Sequence, residues 1–430
     1  GMSYYTGTIF EVSMEGFGGS VAGGGRYDKM IGKFTGMETP ACGFSIGFER
    51  IVTILLDNGF TVPGAGEKKA FLFETGIDSA SLAAVIREAM EEIKQVPYGV
   101  SDFVTVRERN LYYVDKTMYL SLLEQQPDNL FYIRPRRFGK SLFISMLQAY
   151  YDKAMTDRFD SLFSGLWAHE HPTPLRGRYQ MLYLDFSQVG GDIDHLSTHF
   201  EEYCKVKLDG FMRKYQNEYP EVVVKVFFEI QTVSGKLALI RDNAGALRIP
   251  LYLIIDEYDN FTNIVLNEKG EEVYHAITHA SGFYRDVFNK FKGMFERIFM
   301  TGVSPVTLDD LTSGFNIGWH LSMNPKFDKM LGFSTEDVRA MLLYYKEVGM
   351  LPAESDVEVM LTEMKPWYDN YCFAKECLKQ DARVFNCDMV LYYLRQYMDS
   401  GHSPERMVDP NTKTDYNKLK KLLQLDRLDG

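Results

Sequence analysis

Three short apolar runs in the second part of the chain have the length and continuity of buried strands. They lie within residues 130–133, 250–255 and 297–301. Unbroken apolar runs of this length are typical of parallel strands that are covered on both faces. The run at 142–151, directly after the first of them, has the length of a helix. This order predicts an α/β fold with a mainly parallel sheet flanked by helices.

Helical patterns follow the predicted sheet. Residues 334–347, 354–365 and 386–399 have the length and apolar spacing of helices. Ser334, followed three positions later by Asp337, has the spacing of a capping box. We therefore expect a helical C-terminal subdomain after the sheet.

The first part of the chain is different because it is rich in glycine. Glycines cluster within residues 16–25 and recur at Gly43 and Gly47. Alternate glycines leave one face of a strand open, so a flat ligand can approach the backbone. Residues 61–66 have the composition of a loop, and the character of the sequence changes near Gln95. The predicted domains are residues 2–95, 96–330 and 331–430.

Composition and charge narrow the classes of function. The chain has 430 residues, with 47 Lys and Arg against 59 Asp and Glu and a net charge of −12. This balance argues against a broad nucleic-acid surface. The five cysteines form no Cys-x-x-Cys pair, which disfavours a disulfide scaffold and fits a reducing cytoplasm. No run approaches about 18 apolar residues, so we expect a cytoplasmic protein without a membrane span.

The turn after the first apolar strand carries the residues of a phosphate-binding loop. Gly139, Lys140 and Ser141 follow the strand and open the next helix. Backbone N–H groups at a helix N-terminus bind anions, and glycine lets the anion approach. Lys140 would reach the β- and γ-phosphates of ATP, and Ser141 would ligate Mg²⁺. Arg134 stands where the general pattern has its first glycine.

The other two predicted strands end in acidic or polar residues. Asp256 and Glu257 follow the second apolar run, at the edge of a parallel sheet where ligands bind. Asp256 would hold Mg²⁺ through water, and Glu257 would polarise the attacking water. Thr301 ends the third run and could sense the γ-phosphate from the adjacent strand. The alternative is a core strand with a solvated acidic end.

Four further side chains, two arginines and two aromatic residues, each have two interpretations. Arg136 and Arg137 could bridge phosphates, or they could be ordinary surface charges. Tyr98 and Phe103 could contact adenine, or they could pack in an aromatic core, which is the more common role. Sequence alone leaves both alternatives open.

Together these residues resemble the predicted AAA-ATPase family, which is common in gut bacteria. The resemblance extends from residue 96 to about residue 427, and Arg134 is a usual residue of that family's loop. The motifs that carry it are residues 97–103, 113–117, 134–141, 184–187, 255–259, 301–305, 312–317, 367–371 and 409–411. The resemblance implies ATP and magnesium as ligands. Members commonly carry a nuclease domain C-terminal to the matching region. The resemblance therefore leaves a protein partner or a nuclease module open as partners of this chain.

Five residues of the first part carry a second resemblance. Tyr4, Tyr5, Arg26, Tyr27 and Arg50 lie in stretches that resemble histidyl-tRNA synthetase, a class II enzyme. The stretches are similar to its histidine-binding strand, its second histidine signature and its motif 3. The resemblance implies a partial α+β fragment of the catalytic domain, in which Arg50 would contact ATP phosphate. The family's first two motifs would lie upstream, so we expect a relic site without aminoacyl-tRNA ligase activity.

Three functions follow from these patterns. The leading interpretation is an ATP-binding P-loop ATPase of unknown target. The second is a nucleotide-dependent regulatory or interaction module without useful turnover. The third is a paralogue of histidyl-tRNA synthetase that binds histidine and ATP. A Glu257→Gln variant separates the first two, and histidine-dependent ATP–pyrophosphate exchange would identify the third.

Overall fold

The computed structural model divides the chain into two compact units, Gly1–Glu91 and Glu92–Gly430. The residues that it describes are 6–13, 20–28, 40–46, 93–189, 195–260, 283–291, 293–303, 318–369, 371–379 and 383–410. Three residues of the predicted relic site, Tyr4, Tyr5 and Arg50, lie outside this set, as does the predicted loop at 61–66.

The described part of the first unit is a three-stranded antiparallel sheet. Its strands are β1 (Ile9–Ser13), β2 (Ser20–Arg26) and β3 (Cys42–Ile46), in the order β1-β2-β3. Gly24 lies in the middle strand, where a Cβ atom would come within 2.2 Å of the Gly43 carbonyl oxygen. Only glycine allows the strands to approach so closely at this point.

The second unit is built on a five-stranded parallel sheet. Its order is β5-β6-β7-β4-β8, so β7 separates β4 from β6. Each of the three predicted apolar runs forms one of its strands, which confirms the α/β fold. The strands are β4 (Asn129–Ile133), β5 (Gln180–Asp185), β6 (Leu251–Asp256), β7 (Arg297–Gly302) and β8 (Trp319–His320).

Both faces of the central strand β6 are covered, which explains why its first five positions are apolar. In β6, Leu253 and Ile255 belong to one core cluster, whereas Tyr252 and Ile254 belong to the cluster on the opposite face. The side-chain period of two in a strand distributes these residues between the two cores. The helices that accompany the sheet are α1 (Phe103–Glu108), α2 (Tyr119–Glu124), α3 (Lys140–Tyr151), α4 (Phe159–Phe163), α5 (Trp167–Glu170), α6 (Leu196–Tyr215), α7 (Glu221–Glu229), α8 (Val233–Leu247) and α9 (Phe283–Phe291).

The later helices form a third core cluster, which includes Val338, Leu361 and Leu394. The predicted capping box is confirmed, because Ser334 accepts from the backbone N–H of Asp337 and the Asp337 carboxylate accepts in return. None of the helices among the described residues is both long and apolar enough to cross a membrane. The helices are α10 (Thr335–Glu347), α11 (Val357–Tyr368), α12 (Lys375–Lys379) and α13 (Cys387–Ser400).

One predicted helix is displaced along the chain by three residues. The pattern predicts residues 354–365, whereas α11 runs from Val357 to Tyr368. Asp356 determines the start, because its side chain accepts from the backbone N–H groups of Glu358 and Val359 and caps the helix there.

Candidate functional site

The loop between β4 and α3 turns through two residues in the left-handed region. Arg137 has a φ of 69° and Gly139 a φ of 85°, and Gly139 is the N-cap of α3. Glycine adopts this region readily, whereas a residue with a β-carbon does so under constraint. Arg134 is not among the residues with positive φ. The first glycine of the general pattern is therefore not required in this loop.

Arg134 is instead an anchor in the protein interior. It is fully buried, and its guanidinium lies 4.2 Å from the ring centre of Tyr132 and 3.8 Å from that of Phe373. Its Nη1 donates to the carbonyl oxygens of Ile133 and Ser322, each at 2.9 Å. Stacking on aromatic faces and forked donation are the two interactions that suit a buried guanidinium. This side chain fixes the start of the loop.

Lys140 joins the loop to the end of β6. Its Nζ lies 3.3 Å from Oε1 of Glu257. It also donates to the carbonyl oxygens of Arg134 and Pro135, at 3.1 and 3.2 Å. The side chain is only 4% exposed, so these three oxygens surround an almost dry ammonium.

A hydroxyl from each neighbouring element holds Asp256. Ser141 Oγ donates to Oδ2 of Asp256 at 3.0 Å, and Thr301 Oγ1 donates to Oδ1 at 2.6 Å. The Thr301 contact follows from the strand order, because β7 is paired with β6. Ser141 reaches Asp256 from the first turn of α3. Thr301 is 1% exposed, so it reaches the site only through Asp256.

Burial changes the acidity of both strand-end carboxylates. Burial raises the pKa of Asp256, and the hydrogen bond from Thr301 opposes this shift. Burial also raises the pKa of Glu257, which the Lys140 ammonium opposes. Glu257 has a φ of 52°, a conformation that is uncommon outside glycine and concentrates at functional sites.

The loop and the end of β6 line one cavity of about 520 Å³, whereas Arg134 and Thr301 are not among its lining residues. Its volume lies within the range of small-molecule and cofactor pockets. Seven of the predicted site residues line it, namely Arg136, Arg137, Gly139, Lys140, Ser141, Asp256 and Glu257. The structure therefore brings the residues of the loop and of the β6 end together.

Several residues that line the cavity are not among the site residues predicted from the sequence. Asp185 ends β5 directly beside Asp256 in the parallel register, and Ser187 follows it. A search for polar residues at strand ends could have found this pair. Lys116 and Asp388 also line the cavity, but they follow no strand, so no pattern of this kind indicates them.

The two aromatic rings with open roles both pack in the interior. Phe103 is fully buried and meets the ring of Tyr113 edge-on at 5.2 Å between centroids. Tyr98 packs against the third core cluster, and its hydroxyl donates to Asp409 Oδ2 at 2.6 Å. The structure thus supports core packing for both rings, while the following residues 99–101 line the cavity.

Only two residues of the predicted relic site are described. Arg26 Nε lies 2.7 Å from Asp28 Oδ2, and the Arg26 side chain is 56% exposed. The Tyr27 hydroxyl lies close to Gly43, because a Cβ atom added to Gly43 would come within 2.2 Å of its oxygen. The two side chains are adjacent in sequence, and each has a neighbour within the first unit.

The donor set around Asp256 suits Mg²⁺. The Ser141 hydroxyl and the Asp256 carboxylate are oxygen donors, and Mg²⁺ is usually held by one or two carboxylates plus the phosphates of a substrate. In the part of the chain that the structure describes, no group of three or more His, Cys, Asp or Glu residues could hold a metal. Phosphate oxygens of a ligand and water would complete the coordination of a bound Mg²⁺.

Replacement of Asp256 by Asn is expected to stabilise the ligand-free chain by about 1–2 kcal/mol near pH 8, because it removes a buried charge. Burial raises the pKa of Asp256, so the wild type loses stability as the pH rises through that raised pKa, whereas Asn does not titrate. The gain should shrink as the pH falls. Denaturant unfolding at several pH values measures it.

The matched control for this experiment is Asp242→Asn. The Asp242 side chain is 66% exposed and pairs with Arg241, so its replacement should change stability little at any pH. A stability gain for Asp256→Asn that is the same at acidic and alkaline pH would contradict the expectation.

Two known families match different parts of the chain. Residues 1–51 match the family described as histidyl-tRNA synthetase. Residues 97–312 match the family described as AAA-ATPase-like, predicted AAA-ATPase. Both resemblances that the motifs indicated are confirmed.

Individual relatives show the same division. A histidine–tRNA ligase of Leifsonia xyli subsp. xyli is 67% identical over 55 residues, which are 13% of this chain and 13% of the ligase. A probable histidine–tRNA ligase of Tropheryma whipplei is 41% identical over 85 residues, 20% of this chain and 19% of that protein. The chain therefore spans less than a fifth of either ligase.

A longer match comes from an uncharacterized protein in the vnfD 5' region of Azotobacter chroococcum. It is 26% identical over 330 residues, which cover 74% of this chain and 56% of that protein. Among solved structures, that of the Aeropyrum pernix ORC2 protein in ADPNP–ADP complexes aligns with 68% of this chain and 64% of its own. Its sequence identity is 14% and its TM-score is 0.31.

The family assignment rests on the extent of the match. The matched residues, 97–312, make up half of the 430-residue chain and contain both the loop and the acidic end of β6. The chain belongs to the predicted AAA-ATPase family.

Proposed function

We propose that this chain binds ATP with Mg²⁺ through the loop at 134–141 and hydrolyses it with the help of Glu257. One observation carries the proposal: the first turn of α3 meets the end of β6 inside a single cavity. Ser141 lies 3.0 Å from Asp256, and Lys140 lies 3.3 Å from Glu257. Anion-binding groups and metal-binding oxygens thus face the same space, as phosphoryl transfer requires.

The loop supplies the contacts for phosphates. The left-handed Gly139 leads directly into α3, so backbone N–H groups at the start of the helix are available to an anion. Lys140 adds a charge-assisted hydrogen bond, for which it would give up its ion pair with Glu257. Arg136 lines the same cavity and adds a second positive charge.

Ser141 and Asp256 are the residues that would hold the metal. When bound, Mg²⁺ would neutralise the charge that develops on the transferred phosphoryl group. Thr301 acts here as a positioning residue, because its hydrogen bond fixes the Asp256 carboxylate from behind.

Glu257 is the candidate base. Burial raises the pKa of its carboxyl group, which moves it towards the value of a base that accepts a proton near neutral pH. Release of Lys140 towards a phosphate would leave the Glu257 carboxylate without that cation. Ligand binding would in this way prepare the base to orient and deprotonate a water molecule.

A second candidate function is a nucleotide-dependent module without useful turnover. The ion pair between Lys140 and Glu257 favours this function, because a carboxylate that stayed paired after nucleotide had bound would not act as a base. Mg²⁺-dependent phosphate release by the wild type and by Glu257→Gln distinguishes the two functions, because the module predicts equal rates.

Each predicted domain receives a separate role in this proposal. We assign residues 96–330 to the nucleotide core, residues 331–430 to a helical subdomain, and residues 2–95 to a synthetase-like segment without a part in ATP binding. The support is that the cavity is lined by residues between Pro97 and Leu391.

A chain of residues 92–430, which is the second compact unit, is expected to unfold cooperatively and to bind ATP·Mg²⁺ with the affinity of the full chain, within about twofold. Thermal unfolding and calorimetry on both chains measure this. Loss of cooperative unfolding, or binding weakened about tenfold or more in the shorter chain, would show that the first unit contributes to the site.

A further inference from the structure

The two adjacent arginines of the phosphate loop have different surroundings. Arg136 lines the same cavity as Lys140 and Glu257. Arg137 Nη1 instead lies 2.6 Å from Oδ2 of Asp388 and 3.5 Å from Oδ2 of Asp409. The sequence assigns the same two alternatives to both arginines, and the structure separates them.

Both carboxylates come from the C-terminal helical part of the chain. Asp388 lies in the first turn of α13. Asp409 is 1% exposed and accepts the hydroxyl of Tyr98 at 2.6 Å. A buried carboxylate with two donors has a fixed position, so it holds Arg137 against a rigid partner.

Backbone contacts join the same two elements. The N–H of Asp388 donates to the carbonyl oxygen of Arg137 at 3.4 Å, and Asn386 Nδ2 donates to that of Arg136, also at 3.4 Å. The start of α13 thus rests directly on the phosphate loop. Movement of the Arg137 side chain would change the contacts of this helix.

The backbone of Arg137 is itself under constraint. Its φ of 69° places a residue with a β-carbon in the left-handed region, which is unfavourable for such residues. Such a conformation persists where surrounding contacts determine it. The two carboxylates and the backbone contacts to α13 are contacts of that kind.

We propose that Arg137 is a positioning residue that couples the phosphate loop to α13 by exchange of partners. Asp388 and Asp409 hold its guanidinium in the ligand-free chain, and a nucleotide phosphate competes for the same donors. The inference rests on the proposed nucleotide binding. A guanidinium forms paired hydrogen bonds with phosphate as well as with carboxylate, so the exchange preserves its hydrogen bonding. The start of α13 then loses its ion pair whenever the loop is filled.

Under this exchange Asp388 opposes nucleotide binding, so removal of its charge should raise the affinity for nucleotide. In calorimetry with ATP·Mg²⁺, Asp388→Asn is expected to bind about three to ten times more tightly than the wild type. In an Arg137→Gln background the same replacement should have no effect, because no competition remains. Equal tightening in that background would mean simple repulsion between Asp388 and phosphate, and it would overturn the proposal. Unchanged affinity of the single variant would overturn it too.

Hydrogen exchange of the wild-type chain gives an independent measurement. ATP·Mg²⁺ is expected to speed amide exchange in the first turn of α13 and to leave α11 unchanged. No change at α13 would overturn the proposal even if Asp388→Asn failed to fold.

Different results would contradict nucleotide binding and the role of Arg137. If the wild type and Lys140→Ala bind ATP·Mg²⁺ equally poorly, the proposed function is wrong. If binding depends on Lys140 but Asp388→Asn changes neither affinity nor the exchange at α13, only the role of Arg137 is wrong.

Discussion

Replacement of Glu257 by Gln is expected to slow Mg²⁺-dependent phosphate release by about 100-fold or more, because a general base contributes about 10²–10⁴-fold to such reactions. The amide keeps the size of the side chain but cannot accept the proton from water. ATP should still bind, since the replacement leaves Gly139, Lys140 and Ser141 in place. Phosphate release under saturating ATP, with calorimetry alongside, measures both quantities.

The control for this variant is Glu221→Gln at the start of α7. Glu221 is exposed and lies outside the residues that line the cavity, so its replacement should leave the rate unchanged. Undiminished phosphate release by Glu257→Gln would exclude Glu257 as the base and favour the module without turnover.

Replacement of Lys140 by Ala is expected to weaken ATP·Mg²⁺ binding by about 1.5–3 kcal/mol, or about 10–150-fold, through loss of a charge-assisted phosphate contact. Lys140 is almost completely buried and pairs with Glu257, so its replacement should also lower the stability of the ligand-free chain. Calorimetry measures the affinity, and thermal unfolding checks the fold.

Two further variants calibrate this result. Lys153→Ala removes a lysine that is 51% exposed, pairs with Glu218 and lies outside the cavity lining, so binding should not change. Arg50→Ala should also leave binding unchanged, because the synthetase-like segment has no part in the proposed site. Equal affinities for the wild type and Lys140→Ala would remove the loop assignment altogether.

The parts of the site that follow strands could be predicted from the sequence. Lys140, Ser141, Asp256 and Glu257 all come within a few residues of an unbroken apolar run, and the carboxyl ends of parallel strands meet at one edge. Local pattern and general sheet geometry are therefore enough to bring them together. The roles assigned to them stay predictions until the variants are measured.

The contacts made by the C-terminal part could not be predicted in this way. Asp388 and Asp409 meet Arg137 across 251 and 272 positions of sequence, and neither follows a strand. Their placement depends on how α13 packs against the rest of the fold, which no local periodicity encodes. The start of α11 was also misplaced, because the cap formed by Asp356 prevailed over the apolar spacing.

Arg134 has a consequence for the way a ligand would enter the site. Its guanidinium is held between the Tyr132 and Phe373 rings, and its own carbonyl oxygen accepts from Lys140. The backbone at the start of the loop is thus fixed in the ligand-free chain, so little backbone entropy would remain to be lost when a ligand binds there. Binding at such a loop should require side-chain rearrangement, at Lys140 and Arg137, without a change in the path of the backbone at Arg134.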